Sequence, residues 1–416
     1  MNKLKFLRGF KSFLIAIINL PGIWGRRFTQ RHRKPALILA KGGINSGSAW
    51  ITERASRLGF KPIVVAQSFP SREGPWATRW KKLDFEQNET ALVEFAKDLK
   101  PAVILSDHRN YFLPIKAKTL KALDLEEFGS LGPETSNNKL AFRRAIDAAN
   151  IPNIPWVRLQ DIRPENQSYP CVAKPIVGTG SRGVTKIINA LEMTKHISRI
   201  NTDGNIENWI VEGYTIGRQF DVEGVCRRGE FHILSVTEEH YEETDGKFPS
   251  SWFLFSPPIP TMQNEAIKSR ALDVLKACGV KAGAFHVEMR LTKDGQILPI
   301  DYANRYGYPL MVSACADVDF IEAYVRTLLP DPFPKLDVKT NTVFQKYTLN
   351  LEEREKYMKL VKENPDKVIE SRPLGSVMGG VQTYGRFSLK TESFQKMKNL
   401  LGAYDLVPNN WSDFYN

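Results

Sequence analysis

The chain after residue 34 begins with short apolar runs that alternate with longer amphipathic segments. Such apolar runs are typical of buried strands, and the amphipathic segments between them are typical of helices. Strands are predicted at Pro35–Ala40 (PALILA), Pro62–Ala66 (PIVVA) and Ala102–Ser106 (AVILS), and helices up to about Arg57 and near Glu89–Leu99. The alternation of strand and helix predicts a small parallel α/β domain with its ligand crevice at the carboxyl ends of the strands.

From about residue 170 the pattern changes to longer β-rich runs joined by tight turns. The sequences RRGE and TKDGQ are typical of hairpin turns, so we expect an antiparallel sheet. Helices are predicted at about Asn137–Ala149, Gln263–Cys278 and Leu351–Glu363. The expected fold class is therefore α/β plus α+β, with the small parallel domain first.

These patterns divide the chain into four predicted parts. They are a basic amphipathic segment at 1–34, an α/β domain at 35–125, an α+β domain at 126–330 that contains a hairpin subdomain at about 155–210, and a C-terminal α+β region at 331–416.

Positive charge is concentrated at the amino-terminal end. The 416-residue chain has ordinary globular composition and a net charge of +12. Residues 1–34 contain nine Lys and Arg residues and no acidic residue, which leaves only +3 for the rest of the chain. A basic tail on a nearly neutral body argues against a protein built around a nucleic-acid groove.

The same segment carries apolar residues at helical spacing. They are Leu4, Phe6, Leu7, Phe10, Phe13, Leu14, Ile17 and Ile18. The uninterrupted apolar stretch at 13–18 is far shorter than the roughly 20 residues that span a bilayer, and the sequence NLPGIWGRRF offers no small-residue cleavage site for a signal peptide. We expect a helix on an anionic membrane face, with docking on the protein's own body as the alternative.

Cysteine and histidine spacing excludes two further classes of site. The four cysteines are scattered without a C-x-x-C pair, which argues against a disulfide framework or a zinc site and favours a reducing compartment. None of the six histidines has the spacing of a transition-metal motif.

The run VAKPIVGTGSRGVTKII contains a G-x-G-x-x-G pattern at Gly178–Gly183. A dinucleotide site of the Rossmann type requires a helix directly after the glycines. Here the β-branched run Val184–Ile188 follows, so the pattern predicts the tip of a β-hairpin instead. Glycines let backbone N–H groups surround phosphate oxygens, and Lys174 at the base of the loop adds a positive charge for the same phosphates.

Four segments in order resemble the ATP-grasp superfamily, in its carboxylate–amine ligase and biotin-carboxylase-like branch. VAKPIVGTGSRGV resembles the phosphate lid, and NNKLAFRRAIDAANIPNIP resembles the helix with a lysine that precedes it. WIVEGYTIGRQFDVEGV resembles the adenine-hinge strand, and GAFHVEMRLTKDGQILPIDYANRYG resembles the pair of strands that carry metal ligands. The resemblance covers about residues 36–330 and identifies the 126–330 domain as an ATP-grasp domain.

The resemblance implies a role for each residue that matches the family's motifs. ATP phosphates would contact Lys139, Lys174 and the loop residues Gly178, Gly180, Ser181 and Gly183, and adenine and ribose would contact Glu212, Gly213, Tyr214 and Gln219. Mg²⁺ would bind Glu288, Asp301 and Asn304. Arg305 and Lys174 would act in catalysis, Arg305 by holding the substrate carboxylate or its acyl-phosphate.

Two positions depart from the family's pattern. Gln219 stands where relatives often carry Glu for the ribose hydroxyls, and an amide oxygen can still accept those bonds. Relatives commonly have E-x-N-x-R where this chain has Asp301-Tyr302-Ala303-Asn304-Arg305, so the usual Asn ligand is displaced by one residue. In an extended strand that shift turns Asn304 to the opposite face unless a bulge or turn restores it.

The resemblance implies an ATP-dependent ligase that activates a carboxylate as an acyl-phosphate and joins it to an amine. ATP and Mg²⁺ are the expected cofactors, and the partners are a small-molecule or glycan-linked carboxylate and an amine, without nucleic acid. The alternatives are a non-catalytic ATP-binding module and an ATP-grasp kinase or carboxylase-like activity. The expected location is cytoplasmic or peripheral at the inner membrane face, and the oligomeric state is left open.

One further pair of residues has two interpretations. Glu239 and His240 follow the strand-like run SVT. They could reach the substrate or the ribose, or they could lie at the surface end of a strand.

Overall fold

The computed structural model describes most of the chain. It covers residues 33–40, 48–67, 76–85, 87–106, 112–125, 132–178, 182–202, 204–242, 249–329, 332–378 and 381–415. The helix predicted within residues 1–34 lies almost wholly outside these ranges. In the part that is described, no helix combines the length and the apolar character needed to cross a membrane.

The first domain is a four-stranded parallel sheet with helices, as the sequence predicts. Its elements are β1 (Pro35–Ala40), α1 (Ser48–Arg57), β2 (Lys61–Ala66), β3 (Arg79–Lys82), α2 (Glu89–Leu99), β4 (Val103–Ser106) and α3 (Phe112–Ala122). The strand order is β3-β2-β1-β4, and every pairing is parallel. The three predicted strands are confirmed to within one residue, whereas the short strand β3 was not predicted.

A small antiparallel sheet follows. Its elements are α4 (Gly132–Asn137), α5 (Lys139–Ala148), β5 (Trp156–Arg158), β6 (Cys171–Pro175), β7 (Thr185–Ile187), α6 (Ala190–Thr202) and β8 (Trp209–Gly213). The strand order is β5-β8-β6-β7. The helix predicted at about 137–149 is confirmed as α5, which begins after Asn138, because the Asn138 side chain accepts a hydrogen bond from the Ala141 N–H at 3.0 Å. The short helix α4 before it was not predicted.

Ten strands, β9 to β18, follow in the described residues. Eight of them build one large sheet in the order β13-β12-β9-β10-β11-β14-β18-β15, and β16 and β17 pair separately as a two-stranded sheet. The elements are β9 (Arg218–Arg227), β10 (Glu230–Tyr241), β11 (Ser250–Phe255), α7 (Thr261–Ala277), β12 (Ala282–Leu291), β13 (Ile297–Ala303), α8 (Pro309–Ala316), α9 (Phe320–Thr327), β14 (Thr342–Thr348), α10 (Leu351–Glu363), β15 (Val368–Arg372), β16 (Val377–Met378), β17 (Val381–Gln382), β18 (Gly385–Thr391), α11 (Phe394–Gly402) and α12 (Trp411–Phe414). Three strands from the region after 331 extend the sheet of the preceding domain.

The two faces of the large sheet are chemically different. On one face, Phe220 and Val222 of β9 and Val287 and Met289 of β12 pack with α7 in a continuous apolar cluster. On the other face, α8, α9 and the first domain cover the apolar ends of the central strands. The same second face carries the polar side chains of the candidate site, most of which are buried.

A buried ion network joins the small sheet to the large one. Glu212 in β8 lies 2.8 Å from the Arg143 guanidinium and 2.5 Å from the Lys174 ammonium. Arg143 also donates to the backbone carbonyls of Pro299 and Ile300 in β13, at 2.7 and 3.1 Å. Burial alone would raise the pKa of Glu212, but the two cations and their hydrogen bonds lower it to about 2.

Replacing Glu212 with Gln is expected to destabilise the fold. Removing one member of a buried ion pair leaves the other charges uncompensated, which costs about 3–5 kcal/mol. Because the pKa of Glu212 is lowered on folding, its stabilisation is present above the ordinary value of 4.5 and is lost as the pH falls towards about 2. Urea unfolding followed by tryptophan fluorescence should show a large difference between wild type and E212Q at pH 7 and a smaller one below pH 4.

The exposed Glu165 supplies the matched control in the same subdomain. Glu165→Gln should change the free energy of unfolding by less than about 0.5 kcal/mol. An E212Q difference that stays constant from pH 7 to pH 3 would show that the charge of Glu212 does not carry the effect.

Candidate active site

The site is built on alternating polar residues of β9 and β12. In β9, Gln219, Asp221 and Glu223 point to the face opposite α7 and are buried there, while the residues between them enter the apolar core on the α7 side. The strand registers align these side chains in three rows across the sheet. The rows are Glu239–Gln219–Arg290, Thr237–Asp221–Glu288–Asp301 and Ser235–Glu223–His286–Ala303.

His286 lies between two carboxylates in this arrangement. Its Nδ1 is 3.4 Å from Glu223 Oε1, and its Nε2 is 3.3 Å from Glu288 Oε1. Burial alone would lower the pKa of His286, but Glu223, Glu288 and the nearby Asp221 raise it well above its ordinary value. The imidazole is therefore held in its cationic form at neutral pH.

Acidic groups outnumber the cations that face them. Burial and then the charge of Glu239 raise the pKa of Asp221 well above its ordinary value, with His286 opposing this effect. Burial and the charge of Glu288 raise the pKa of Glu239 to about 7, against the hydrogen bonds from Ser250 and Tyr241 and the charge of His286. Mutual repulsion of this kind marks a site that a bound cation would stabilise.

Glu223 also holds the loop that follows Arg305. Its Oε1 accepts hydrogen bonds from the backbone N–H groups of Gly307 and Tyr308, at 2.7 and 3.1 Å. A Cβ atom on Gly307 would lie 2.7 Å from Glu223 Oε1 and 3.0 Å from His286 Nδ1, so only glycine allows this approach. The carboxylate thereby fixes the backbone next to Arg305.

The predicted metal ligands Glu288 and Asp301 are brought together as direct cross-strand neighbours. Burial would raise the pKa of Glu288, but the hydrogen bond and charge of His286, with Arg305 and Lys174, bring it below its ordinary value. Asp301 is partly exposed and accepts a hydrogen bond from the Tyr302 N–H at 2.8 Å. Lys174, Glu288 and Arg305 thus come from three elements to one location.

This donor set fits Mg²⁺. In the described ranges, no three His, Cys, Asp or Glu side chains converge as a fully protein-enclosed metal site requires. Mg²⁺ instead keeps several waters and binds through one or two carboxylates together with substrate phosphates. Glu288 and Asp301 supply such a pair on a face that has an excess of negative charge.

Asn304 lies apart from these carboxylates. Its Nδ2 donates to the carbonyls of Ala282 and Ala284, at 3.1 and 2.9 Å. Its Oδ1 is directed toward Gly132, on the side of the Tyr302 hydroxyl and away from the polar face. The one-residue displacement therefore has the effect expected of an extended strand, and no bulge restores Asn304 to the metal ligands; we do not retain it as a ligand.

The lid segment is a β-hairpin, as predicted. β6 and β7 pair antiparallel from Cys171↔Ile187 to Ala173↔Thr185. Gly183 has φ +80°, and a Cβ atom there would lie 2.9 Å from Pro175 Cγ, so the turn requires glycine. Gly178 accepts a hydrogen bond from Lys139 Nζ at 3.1 Å. Gly180 and Ser181 lie outside the described residues.

The predicted hinge residues surround the ion network of Glu212. The Gly213 and Tyr214 N–H groups donate to the carbonyls of Pro155 and Pro170, at 2.9 and 3.2 Å. The Lys186 ammonium lies 4.6 Å from the centre of the Tyr214 ring. Each oxygen of the Glu212 carboxylate contacts a cation, Arg143 or Lys174, so the side chain stabilises the hinge from the protein interior.

Gln219 belongs to the polar rows instead of an open ribose site. Its amide nitrogen donates to Glu239 Oε2 and to the Tyr241 hydroxyl, at 2.9 and 3.0 Å. Its amide oxygen accepts from Arg290 at 3.0 Å. A ribose hydroxyl would have to exchange with one of these partners.

Sequence reasoning missed Asp221, Glu223, His286 and Arg143. The first three follow a simple signal, because polar residues at every second position of a strand mark a polar face. Arg143 carries no comparable signal, since it lies on a helix and meets Glu212 only after the chain has folded.

The sequence comparisons agree with this geometry. A model of the ATP-grasp domain matches residues 167–308. The chain is 25% identical over 321 residues to an uncharacterized protein of Sinorhizobium fredii, which covers 70% of this chain and 63% of that protein. It is 20% identical over 292 residues to an ATP-grasp enzyme of Aspergillus fumigatus, which covers 64% of this chain and 50% of that enzyme. The chain therefore spans less than two thirds of the length of these curated relatives.

Solved structures share the fold over nearly their whole length. The L-amino acid ligase from Bacillus licheniformis superposes with a TM-score of 0.72 at 19% identity, over 90% of this chain and 97% of that chain. N5-carboxyaminoimidazole synthase from Aspergillus clavatus, in complex with ADP and 5-aminoimidazole ribonucleotide, gives 0.68 at 14% identity, over 90% and 98%. At these identities the likeness concerns the fold. The match over residues 167–308 shows an ATP-grasp domain in that part of the chain, and the solved structures show that the fold around it is shared.

Proposed function

We propose that this chain is an ATP-dependent ligase that activates a carboxylate as an acyl-phosphate and joins it to an amine. The observation that carries the proposal is that Lys174 of the small sheet and Arg305 of the loop after β13 both act on the charge of Glu288 in β12. Two cations beside a pair of carboxylates form the charge pattern that phosphoryl transfer to a carboxylate requires.

Each residue has a proposed role. Lys139, Lys174 and the glycine loop at 178–183 would bind the ATP phosphates, and the hinge at 212–214 and Gln219 would bind adenine and ribose. Glu288 and Asp301 would hold Mg²⁺, which when bound neutralises phosphate charge. Arg305 would hold the donor carboxylate with its planar pair of N–H groups.

The proposed reaction has two transfers. A donor carboxylate oxygen attacks the γ-phosphorus of ATP, and ADP leaves with the electrons of the broken P–O bond. The acceptor amine then attacks the acyl carbon, phosphate leaves, and the amine loses a proton to form the amide. Closure of the β6–β7 hairpin would exclude water and protect the acyl-phosphate from hydrolysis.

The first transfer can be tested without knowledge of the amine. Hydroxylamine traps an acyl-phosphate as a hydroxamate, so the full-length chain is incubated with Mg²⁺, ATP, hydroxylamine and a panel of amino acids and sugar acids. We expect ADP and hydroxamate to form together with the true donor. Release of ADP without hydroxamate would favour a kinase-like activity, and tight ATP binding without any turnover would favour the non-catalytic module that the replacement of the usual Asn by Ala303 suggests.

Replacing Arg305 with Ala is expected to lower the rate of hydroxamate formation about 100-fold or more, because a cation that stabilises developing charge is lost. ATP affinity measured by calorimetry should change less than threefold. The exposed Arg144, replaced by Ala, is the control and should leave both quantities unchanged. Hydroxamate formation by R305A at the wild-type rate would contradict the proposed role.

We further propose that the basic amphipathic segment binds an anionic membrane face. Residues 1–32 can be deleted while Arg33 is retained, since its guanidinium donates to the Ser56 carbonyl at 3.0 Å. The deletion should remove the chain from vesicles that contain anionic lipid and leave ATP affinity unchanged. Equal vesicle binding by the truncated chain would contradict this proposal.

A further inference from the structure

The polar face extends beyond the carboxylates into β10 and β11. Glu239 lies in the same row as Gln219 and is followed across the sheet by Phe253 and Gln345. The carboxylate is held in place: Oε1 accepts from the Ser250 hydroxyl at 2.5 Å and Oε2 from Gln219 at 2.9 Å. Its position is thus fixed by groups that do not neutralise its charge.

Aromatic side chains stand beside this carboxylate. The Tyr308 ring lies 4.8 Å from the Phe253 ring, and the Tyr347 ring lies 6.1 Å from Phe253 on another side. Burial, followed by the charges of Glu239 and Asp221, raises the pKa of Tyr308 well above its ordinary value. The tyrosine hydroxyl therefore lies within the field of the same acids.

A second observation concerns carboxylate oxygens on the same face of the sheet that have no hydrogen-bond partner. Asp221 and Glu223 are fully buried, yet Asp221 Oδ2 and Glu223 Oε2 have no hydrogen-bond partner among the described residues. The charge of Glu239 acts on Asp221. The other oxygen of Asp221, Oδ1, has a long contact of 3.5 Å with Gln219 Nε2. Buried carboxylate oxygens without partners are costly, so they indicate a group that is bound during function.

We propose that Glu239 and the adjoining aromatic side chains bind the acceptor substrate as a protonated amine with an apolar or aromatic body. The inference rests on the proposed ligase function and names the acceptor class of the same site. An ammonium beside a fixed carboxylate gains Coulomb energy in a site of low dielectric constant, and the Tyr308 ring attracts a cation as well. The ammonium loses one proton before its nitrogen attacks the acyl carbon. Mg²⁺ belongs to the neighbouring row at Glu288 and Asp301, so the two positive charges occupy different places.

The variant Glu239→Gln isolates the charge. The Gln oxygen can accept from Gln219 Nε2, and the Gln amide can donate to the Ser250 hydroxyl, so the hydrogen bonds with Gln219 and Ser250 survive. Glu230→Gln provides a matched control on the same strand, because Glu230 is exposed at the opposite end of β10. The melting temperature of each variant, followed by circular dichroism, verifies that it is folded.

Benzylamine and benzyl alcohol are suitable probes, because they have the same shape and only the amine is cationic at neutral pH. Calorimetry on the full-length chain with Mg²⁺ and a non-hydrolysable ATP analogue should show wild type binding benzylamine at least tenfold more tightly than benzyl alcohol. E239Q should lose at least tenfold in benzylamine affinity and less than threefold in benzyl alcohol affinity, while E230Q should bind like wild type.

The inference would be overturned by wild type that binds both probes equally, or by E239Q that retains the affinity for benzylamine. Loss of Mg²⁺ affinity in E239Q with unchanged benzylamine binding would also overturn it, since Glu239 would then be a metal ligand. If E239Q does not fold, Tyr308→Leu takes its place; it removes one ring face and should weaken benzylamine binding at least threefold, and no change would count against the subsite.

The hydroxamate assay on wild type separates this inference from the proposed function. Hydroxylamine is neutral at the pH of the assay and reports the acyl-phosphate without use of the ammonium subsite. Hydroxamate formation with no preference for benzylamine would leave the ligase proposal standing and remove the subsite. Absence of hydroxamate together with Glu239-dependent benzylamine binding would count against the ligase proposal and leave the subsite standing.

Discussion

The candidate site depends on the buried contact of Glu212 with Arg143 and Lys174. One guanidinium bonds to a carboxylate in β8 and to the carbonyls of Pro299 and Ile300, the two residues that precede Asp301 in β13. The network therefore sets the position of a predicted metal ligand relative to the base of the lid. Charges of this kind are stable in the interior only when every partner is present, so the small sheet and the large sheet are placed as one unit.

A second constraint follows from strand alternation. Each strand that sends Phe220, Val222 or Val287 into the core must send its other residues to the opposite face, and here those residues are acids and a histidine. Several carboxylates on one surface repel one another, as the raised pKa values of Asp221 and Glu239 show. The repulsion is concentrated at a site where phosphates, Mg²⁺ and a cationic substrate would meet. Unfavourable electrostatic interactions of this kind are common at functional sites.

Local sequence patterns sufficed for β1, β2, β4, α1 and α2 of the first domain, although not for β3 and α3, and for the hairpin nature of the glycine loop. The run Val184–Ile188 excluded a helix, and β7 begins within it. Glu288 and Asp301 were identified through the family resemblance, and the hairpin turn between two β-rich runs makes them cross-strand neighbours. Local patterns did not reveal that β14, β18 and β15 join the same sheet, since the pairing of strands distant in sequence leaves no periodic signal.

Asn304 shows how far alternation alone can decide a side chain's role. Asn304 was predicted as a metal ligand that a bulge or turn would have to restore to the face of the carboxylates. Its hydrogen bonds to Ala282 and Ala284 show instead the orientation of a regular extended strand. The identity of its partners, in contrast, depends on how the end of β12 lies against β13. Such tertiary detail is also why Arg143 and His286, which organise the site, were not recognised from the sequence.

The continuous sheet gives the C-terminal region a part in substrate choice under the proposed function. The groups proposed for ATP and Mg²⁺ come from the small sheet and from β9, β12 and β13, whereas the groups around Glu239 come from β10, β11, β14 and the start of α8. Because the two sets occupy different strands of one rigid sheet, the acceptor wall can change without displacement of the phosphate groups. In this arrangement, residues near β12 and β13 determine which reaction is catalysed, and strands farther from the lid determine which acceptor is bound.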